Sequence, residues 1–201
     1  QFFTPAYEKS SEEVYRAYSI ASDPQQNNII DLIVRLVPGG ICTTYMFDYL
    51  KPGDQATIIG PFGDFRLADT DSEMIFIAGG SGMAPFVSIL SDMRNNQNPR
   101  KATYYFGANK VNELFFLDEM KKLQDELQNF KFVPVVASPE ESDNWQGQTG
   151  LVTEVVAKDN ENASACEAYL CGSPGMIDAS IKVLCQDLGV DEAKVYYDKF
   201  A

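Results

Sequence analysis

The alternation of apolar and polar residues changes character about a third of the way along the chain. Up to Asp69 the two kinds of residue alternate in short runs, which is typical of antiparallel strands with one face toward solvent. The runs cover residues 14–20, 29–37 and 55–60. Turn signals such as Pro38-Gly39-Gly40 and Gly60-Pro61-Phe62-Gly63 separate them. The pattern predicts a small antiparallel barrel in this part of the chain.

From Glu73 onward, nearly all-apolar runs alternate with amphipathic segments of helical period. The predicted strands are 74–78, 102–106, 130–136, 167–170 and 194–197, and the predicted helices are 85–95, 113–127 and 175–188. Strands that alternate with helices form parallel, doubly wound sheets. We therefore expect two unlike domains, residues 1–70 and residues 71–201. The segments 138–143 and 158–163 are expected to be solvated loops.

The predicted barrel is incomplete. Three or four strands would leave open edges, which barrels avoid by closing the sheet. The chain also begins at Gln1-Phe2-Phe3, with apolar residues and no initiator methionine. We therefore expect the N-terminal barrel strands to be missing from this numbering, through truncation, proteolysis or division into two chains.

Charge and hydropathy exclude some partners. The formal net charge of the 201 residues is -13, which repels nucleic acid and anionic membrane surfaces, so any anionic ligand must be held by local groups. No run approaches the roughly 18 consecutive apolar residues of a membrane span, so we expect no direct membrane insertion by this segment.

The absence of histidine removes Ser-His-Asp and Cys-His nucleophiles and every histidine-ligated metal site. The four cysteines, Cys42, Cys166, Cys171 and Cys185, are scattered, which favours reduced thiols in a cytoplasmic protein. Cys166 and Cys171 have the first spacing of a plant-type iron–sulfur ligand set, but the next ligand position holds Pro174. We therefore expect no metal in this chain.

A glycine-rich turn, Gly79-Gly80-Ser81-Gly82, follows the buried strand 74–78, and Pro85 fits the first turn of the helix that comes next. Backbone N–H groups at such a turn and the helix dipole favour a phosphate, although a simple structural turn has the same sequence. The next strand ends at Asn109-Lys110 rather than at the acidic residue that commonly binds a ribose.

Two further segments carry candidate chemistry. Cys171-Gly172-Ser173-Pro174 places a turn at the carboxyl end of a predicted strand, the edge at which open α/β sheets bind ligands. Its cysteine could equally be a small buried residue of the core. Arg16-Ala17-Tyr18-Ser19 offers a cation, an aromatic face and a hydroxyl within four residues, although a strand with a charged end would look the same.

Together these motifs have the order and spacing of the ferredoxin-NADP reductase family of flavoproteins, which the chain resembles over nearly its whole length. The motifs concerned are Arg16-Ala17-Tyr18-Ser19, Gly40-Ile41-Cys42-Thr43, Gly60-Pro61-Phe62-Gly63, Gly79 to Pro85, Cys171-Gly172-Ser173-Pro174 and the terminal Asp198-Lys199-Phe200. Flavoprotein subunits of NADH:quinone reductases are particularly similar, and reductase components of bacterial oxygenases nearly as much. The resemblance implies an FAD-binding barrel followed by a nicotinamide-nucleotide domain.

The resemblance also implies a reaction. Hydride would pass from NADH, with NADPH less favoured, to FAD, and single electrons would pass on to an iron–sulfur acceptor on another domain or subunit. An oxygenase reductase component would share this half-reaction, and an FAD-binding module without turnover is the remaining alternative. The protein would be cytoplasmic, and the resemblance leaves open an attachment to a membrane complex through a missing segment or a partner.

By the same resemblance, the catalytic residues are Ser19 at flavin N5, Cys171 beside the reacting nicotinamide carbon, and Phe200 covering one flavin face. Arg16 would neutralise the FAD diphosphate and Tyr18 would pack on the isoalloxazine. The other residues implied to bind FAD are Ile33, Arg35, Gly40, Ile41, Cys42 and Thr43. Those implied to bind the nicotinamide nucleotide are Gly80, Ser81, Gly82, Met83, Gly107, Asn109, Lys110, Gly172, Ser173 and Met176.

Overall fold

The computed structural model describes residues 1–200 and contains two β-sheets, a small antiparallel one and a larger parallel one. The strands are β1 (Phe2–Thr4), β2 (Val14–Arg16), β3 (Met74–Gly79), β4 (Ala102–Ala108), β5 (Phe130–Val136), β6 (Gln148–Thr149), β7 (Glu167–Gly172) and β8 (Val195–Lys199). The α-helices are α1 (Ile41–Thr44), α2 (Met83–Asn95), α3 (Leu117–Glu126), α4 (Val152–Asp159) and α5 (Pro174–Lys182). The small antiparallel sheet β1-β2 precedes a six-stranded sheet, so the predicted β then α/β fold class is confirmed.

The six-stranded sheet is parallel throughout, with the order β6-β5-β4-β3-β7-β8. Because side chains alternate along a strand, β3 supplies Met74, Phe76 and Ala78 to one core and Ile75 and Ile77 to another. Helices α2 and α3 pack on the first face, while α4 and α5 pack on the second. The predicted doubly wound arrangement follows from these two fully buried faces.

In the N-terminal region, the predicted strand bounds are wrong. The run 14–20 forms a regular strand only over Val14–Arg16, paired with β1. The runs 29–37 and 55–60 form no regular strand and contribute only isolated bridges, Ile20 to Leu32 and Phe2 to Ile58. An alternating pattern favours an extended backbone, but a strand also needs a continuous hydrogen-bonding neighbour, and residues 1–200 supply none for 29–37.

Apolar side chains of this region remain uncovered within the described part of the chain. Ile29, Ile30, Leu36 and Val37 are each about half exposed. Next to them is an apolar groove of about 340 Å³, lined by Phe2, Ile30, Leu32, Val34, Met46, Phe47, Leu50 and Ile58.

Two helical segments lie outside the predicted helices. Helix α1 and the π-helical turn Tyr45–Tyr49 follow Gly40 directly. Helix α4 buries Val152, Val155 and Val156 against the sheet and includes Lys158 and Asp159, so the solvated loop predicted for 158–163 begins too early.

Two predicted helices are shorter than expected. Helix α3 starts at Leu117, not at residue 113, because Phe116 has a positive φ of 56° and separates the helix from the 3₁₀ turn Val111–Glu113. Helix α5 ends at Lys182, and the chain continues as a π-helical turn over Val183–Asp187.

Within residues 1–200, no helix has the length and apolarity needed to span a bilayer. The same residues form no cluster of three or more carboxylates or thiols suited to a metal ion.

Candidate active site

The carboxyl ends of the central strands meet at one edge of the parallel sheet, where ligands bind in open α/β folds. The glycine turn Gly80–Gly82 forms a 3₁₀ turn there, between β3 and α2. Gly80 has a positive φ of 55°, is exposed, and has no other atom within 4 Å of where a Cβ would be. Its backbone is therefore open to close approach by a ligand.

Unlike the exposed Gly80, Gly82 and Met83 are buried. A Cβ on Gly82 would collide with the carbonyl group of Cys171 on β7, so the missing side chain lets two turns pack backbone against backbone. Met83 is fully buried in the core between the sheet and α2. Any contact of Met83 with a nucleotide is limited to its backbone.

The second turn at this edge follows β7. Gly172 has a φ of 145°, and the Met176 side chain packs beside both Gly172 and Gly79. Cys171 is fully buried, and burial, together with the charge of Asp198, raises the pKa of its thiol well above its usual range. A thiol that stays protonated lines a site as a small neutral group and is no nucleophile. Ser173 is exposed immediately before α5.

The three side chains expected to be catalytic converge here. Ser19 donates a hydrogen bond from Oγ to Asp198 Oδ2 at 3.4 Å, across 179 residues of sequence. Asp198 lies opposite Cys171 in the register of β7 and β8. The Phe200 N–H donates to the Gly172 carbonyl at 2.9 Å, and the half-buried Phe200 ring packs on the same core as Ile33. The N-terminal region and the parallel sheet thus meet at this edge, and we call the group Ser19, Cys171, Asp198 and Phe200 the cofactor cleft.

Asp198 is a site residue that sequence reasoning missed. It stands in the terminal Asp-x-Phe motif, but only its contact with Ser19 assigns it a place beside the predicted flavin contact.

Two arginines of the N-terminal region are suited to a diphosphate. Arg16 and Arg35 are both exposed, and neither forms an ion pair with any carboxylate of residues 1–200. Arg16 donates only to the carbonyl of its neighbour Tyr15, at 2.8 Å. Cations without a carboxylate partner, in a chain of net charge -13, match the charge of a diphosphate.

The predicted aromatic contact, Tyr18, is half-buried. Burial raises the pKa of its phenol, and a hydrogen bond with Cys42 adds to the shift. The Cys42 thiol is itself buried and accepts a hydrogen bond from Thr4 Oγ1 at 2.9 Å. The raised pKa keeps the Tyr18 phenol neutral.

The segment 40–43 points its side chains inward. The Thr43 hydroxyl bonds to the backbone of Val37, accepting from its N–H at 3.2 Å. A Cβ on Gly40 would lie 2.7 Å from that hydroxyl oxygen, so no side chain fits there. The Thr43 hydroxyl is thus already engaged, and the Gly40 N–H donates to the Val37 carbonyl at 2.9 Å. Ile41, Cys42 and Thr43, at the start of α1, have their N–H groups to offer.

At the end of β4, two carboxylates missed by sequence reasoning surround the predicted ribose site. Glu113 Oε2 accepts hydrogen bonds from the N–H groups of Asn109 and Lys110, at 2.8 and 3.4 Å. Lys110 Nζ pairs with Glu140 Oε1 at 3.0 Å. Gly107, just before them, packs closely on Val152. The local charge is therefore negative, which opposes a 2′-phosphate and favours NADH over NADPH.

The residues present fit the two expected cofactors. The open backbone at Gly80 suits a dinucleotide, and the unpaired arginines suit an anionic flavin nucleotide beside Tyr18 and Ser19. The roles of the individual residues stay predictions.

Comparison with known families defines the class. Residues 76–182 match the family model "Oxidoreductase NAD-binding domain", and residues 1–67 match "Oxidoreductase FAD-binding domain". The chain belongs to the oxidoreductase NAD-binding domain family, here preceded by the FAD-binding domain. The expectation of FAD and a nicotinamide nucleotide as cofactors is confirmed.

More specific relatives are F subunits of the Na(+)-translocating NADH-quinone reductase. The relative in Idiomarina loihiensis is 41% identical over 206 residues, covering 96% of this chain and 50% of the relative. The relative in Neisseria gonorrhoeae is 40% identical with the same coverage. The chain spans about half the length of the curated relatives it matches.

Among solved structures, a cytochrome P450 reductase from Amycolatopsis has a TM-score of 0.86 at 28% identity, covering 99% of this chain and 59% of that one. A ferredoxin reductase in carbazole 1,9a-dioxygenase has a TM-score of 0.80 at 24% identity, covering 94% and 56%, and shows the fold alone. The resemblance to ferredoxin reductase-like flavoproteins is confirmed.

Proposed function

We propose that this chain is the FAD- and NADH-binding part of an oxidoreductase that passes hydride from NADH to FAD and single electrons to an iron–sulfur acceptor on another domain or subunit. The observation that carries the proposal is the set of contacts that brings Ser19, Cys171 and Phe200 together where an FAD-binding and an NAD-binding domain meet. Bound FAD would accept two electrons together and release them singly. We assign the two domains to residues 1–70 and 71–201.

The side chains of the cleft would bind and orient. Arg16 and Arg35 would balance the FAD diphosphate, and the neutral Tyr18 ring would pack on the flavin. Ser19 Oγ–H, directed at Asp198 at a long 3.4 Å, would turn to flavin N5 and hold a hydrogen bond there. Buried Cys171 and the backbone of Gly80 and Gly172 would shape a water-poor surface for the nicotinamide ring.

Phe200 would act as a movable cover. Its ring packs on the core, and its backbone is tied to Gly172 by one hydrogen bond. If Phe200 covers the flavin face that the nicotinamide needs, its ring would have to move aside when NADH binds.

The relatives support a larger assembly for this chain. Relatives at 38–41% identity are named as subunits of a quinone reductase, which supports a larger complex for this chain too. We assign the protein to the cytoplasm, at the membrane face through a partner or a further segment.

An oxygenase reductase component is the second candidate, favoured by the likeness to a cytochrome P450 reductase at 28% identity. It would share the NADH half-reaction and differ in the acceptor. Reduction of a quinone-reductase partner but not of an oxygenase ferredoxin would decide for the first candidate.

The full-length protein, reconstituted with FAD, should be yellow, and anaerobic NADH should bleach it. Ser19→Ala should slow flavin reduction by roughly tenfold in a stopped-flow experiment, since one hydrogen bond is lost, and should keep its FAD. The matched control is Ser11→Ala in an exposed loop, which should behave as the parent. A colourless parent protein, or equal reduction rates for all three proteins, would contradict the proposal.

A further inference from the structure

One buried face of β7 carries polar groups where a parallel sheet normally has apolar ones. Residues 167, 169 and 171 share this face, because side chains alternate along a strand. Glu167 is 2% exposed and Tyr169 is fully buried. Cys171 belongs to the cofactor cleft, whereas the acid and the phenol lie at the other end of the strand and have no part in it.

The two polar groups bind to each other and to an arginine. Arg100 Nη2 contacts Glu167 Oε2 at 2.7 Å, and both side chains are almost fully buried. The Tyr169 hydroxyl donates to the same carboxylate oxygen at 2.8 Å. We call Arg100, Glu167 and Tyr169 the linker clamp.

All three members of the linker clamp hold the segment 68–72, which connects the N-terminal region to β3. The Ala68 N–H donates to the Tyr169 hydroxyl at 2.9 Å, and Arg100 donates to the Ala68 carbonyl at 3.0 Å. Arg100 Nε also donates to the Ser72 carbonyl at 2.9 Å.

A side chain of the connecting segment completes the network. The hydroxyl of Thr70, an exposed residue, donates to Glu167 Oε1 at 2.6 Å. Burial acts to raise the pKa of Glu167, but hydrogen bonds from Thr70, Tyr169 and Arg100 outweigh it and leave the pKa below its usual value. The clamp therefore holds a charged, fully bonded carboxylate.

Stability alone does not account for this network. Two charges lose their hydration when buried, and well-packed apolar side chains would often stabilise a core as much or more. What apolar side chains cannot do is fix a mobile connection by directional bonds to its backbone. The linker clamp thus specifies one path of the connecting segment.

The path sets where the N-terminal region lies relative to β7. Phe65, just before the segment, packs edge-on against the Tyr169 ring, with the ring centroids 6.3 Å apart. Glu167 and Cys171 are four residues apart on one strand, or about 13 Å at roughly 3.3 Å per residue. A single rigid strand therefore links the clamp to the cleft.

We propose that the linker clamp positions the FAD-binding region against β7, so that the flavin and nicotinamide sites meet in register for hydride transfer. Its members are positioning residues, since none of them lies in the cleft. The inference rests on the proposed function, because it assigns the clamp an effect on hydride transfer.

The test compares Tyr169→Phe with Tyr196→Phe in the full-length, FAD-loaded protein. Tyr196 stacks on Tyr169 with ring centroids 4.9 Å apart, and its hydroxyl takes no part in the clamp, so the chemical change is the same. Tyr169→Phe removes the acceptor of the Ala68 N–H and one donor to Glu167.

For Tyr169→Phe we expect about a tenfold fall in kcat, because a small misplacement of the reacting atoms slows transfer strongly. The KM for NADH and the affinity for FAD should stay unchanged, since both cofactor sites are intact. Hydrogen–deuterium exchange, which is independent of turnover, should speed up about tenfold at 68–72 and stay unchanged in β3 and β7. Tyr196→Phe should match the parent in all these measurements.

Thr70→Val serves as a second variant, because it changes an exposed residue and does not open the core. It removes the hydrogen bond to Glu167 and the 3.3 Å bond that Thr70 Oγ1 accepts from the Ser72 N–H. Thr70→Val should lower kcat and speed up hydrogen–deuterium exchange at 68–72 as Tyr169→Phe does, but by smaller factors. An unchanged kcat in a Tyr169→Phe protein with a loosened linker would overturn the inference, as would an equal loss in Tyr196→Phe. If Tyr169→Phe does not fold, an unchanged kcat in Thr70→Val decides against it. A parent protein that NADH does not reduce would instead overturn the proposed function, and the exchange data would then report the linker alone.

Discussion

Gly82 is the position at which the smallest substitution should do the most damage. It lies in the 3₁₀ turn between β3 and α2 and faces the end of β7. A Cβ built on it would overlap the carbonyl of Cys171 and lie 2.6 Å from the carbonyl carbon and 2.9 Å from the Cα of Gly172. All of these are backbone atoms, so no side chain can rotate away.

The displacement that Gly82→Ala requires follows from those distances. Since unstrained carbon–carbon contacts begin at about 3.5 Å, relief of the 2.6 Å contact requires the two turns to separate by at least about 0.9 Å. Overpacking of this size costs about 1–3 kcal/mol of stability. Both turns belong to the predicted nicotinamide site, and a shift near 1 Å in a reacting geometry can cost up to about 100-fold in rate.

We therefore expect Gly82→Ala to lower kcat/KM for NADH by about 10- to 100-fold, measured by anaerobic stopped-flow reduction. Its FAD content should stay normal, because Arg16, Arg35 and Tyr18, the residues assigned to the FAD diphosphate and the flavin ring, lie in the other domain. The matched control is Gly175→Ala in the first turn of α5, where a Cβ meets nothing within 4 Å. That change should be neutral or slightly stabilising, since alanine favours a helix. Equal melting temperatures and equal reduction rates for the two variants would refute the reasoning.

Two further changes test charged contacts, one at the end of α2 remote from the glycine turn and one at the predicted ribose site. A hydrogen bond from the Asn95 side chain is the largest of the contacts that hold the pKa of Asp23 below its usual value. The charged carboxylate therefore stabilises the fold at pH values above its unfolded pKa. This stabilisation is lost as the pH falls through the folded pKa. Asp23→Asn should cost about 1 kcal/mol in urea denaturation at pH 7 and converge with the parent in acid; a pH-independent difference would contradict this. Glu140→Gln should free Lys110 and raise kcat/KM for NADPH about two- to fivefold without changing that for NADH, since the pair is exposed. Unchanged use of NADPH would show that the pair does not control selectivity.

The strands of the parallel sheet were predictable because their apolar runs are buried on both faces of the sheet in the structure. The strand predicted for 130–136 has those bounds in the structure, since a buried apolar run needs no information from elsewhere. The same reasoning failed for 29–37, where extension is a local property but a hydrogen-bonding neighbour is not. Helix α4 was missed because its short apolar stripe, Val152 to Val156, follows a loop rich in polar residues.

The candidate site likewise contains residues that local motifs predict and residues that only tertiary contacts bring together. Glycine turns and the Arg-x-Tyr-Ser motif are local, so their residues were found, whereas Asp198 meets Ser19 across 179 positions. Glu113 falls within a predicted helix, but its carboxylate turns back to the strand end and accepts two backbone N–H groups. The sequence carries one sign of the linker clamp, the acidic Glu167 at the start of a buried strand. The residues that follow it are mostly apolar, so the pattern alone does not single out Glu167.

The charge distribution explains how so acidic a chain can hold two anionic nucleotides. A net charge of -13 gives a repulsive field at long range, but salt screens that field beyond about 10 Å at 0.1 M. Screening acts least at contact distance, so Arg16 and Arg35, which have no carboxylate partner within residues 1–200, are the cations available for the predicted diphosphate contact. On the nicotinamide side, Lys110 is neutralised by Glu140, and backbone N–H groups carry no net charge. That side therefore tolerates a diphosphate but offers nothing to a further phosphate, which is the electrostatic basis for expecting NADH.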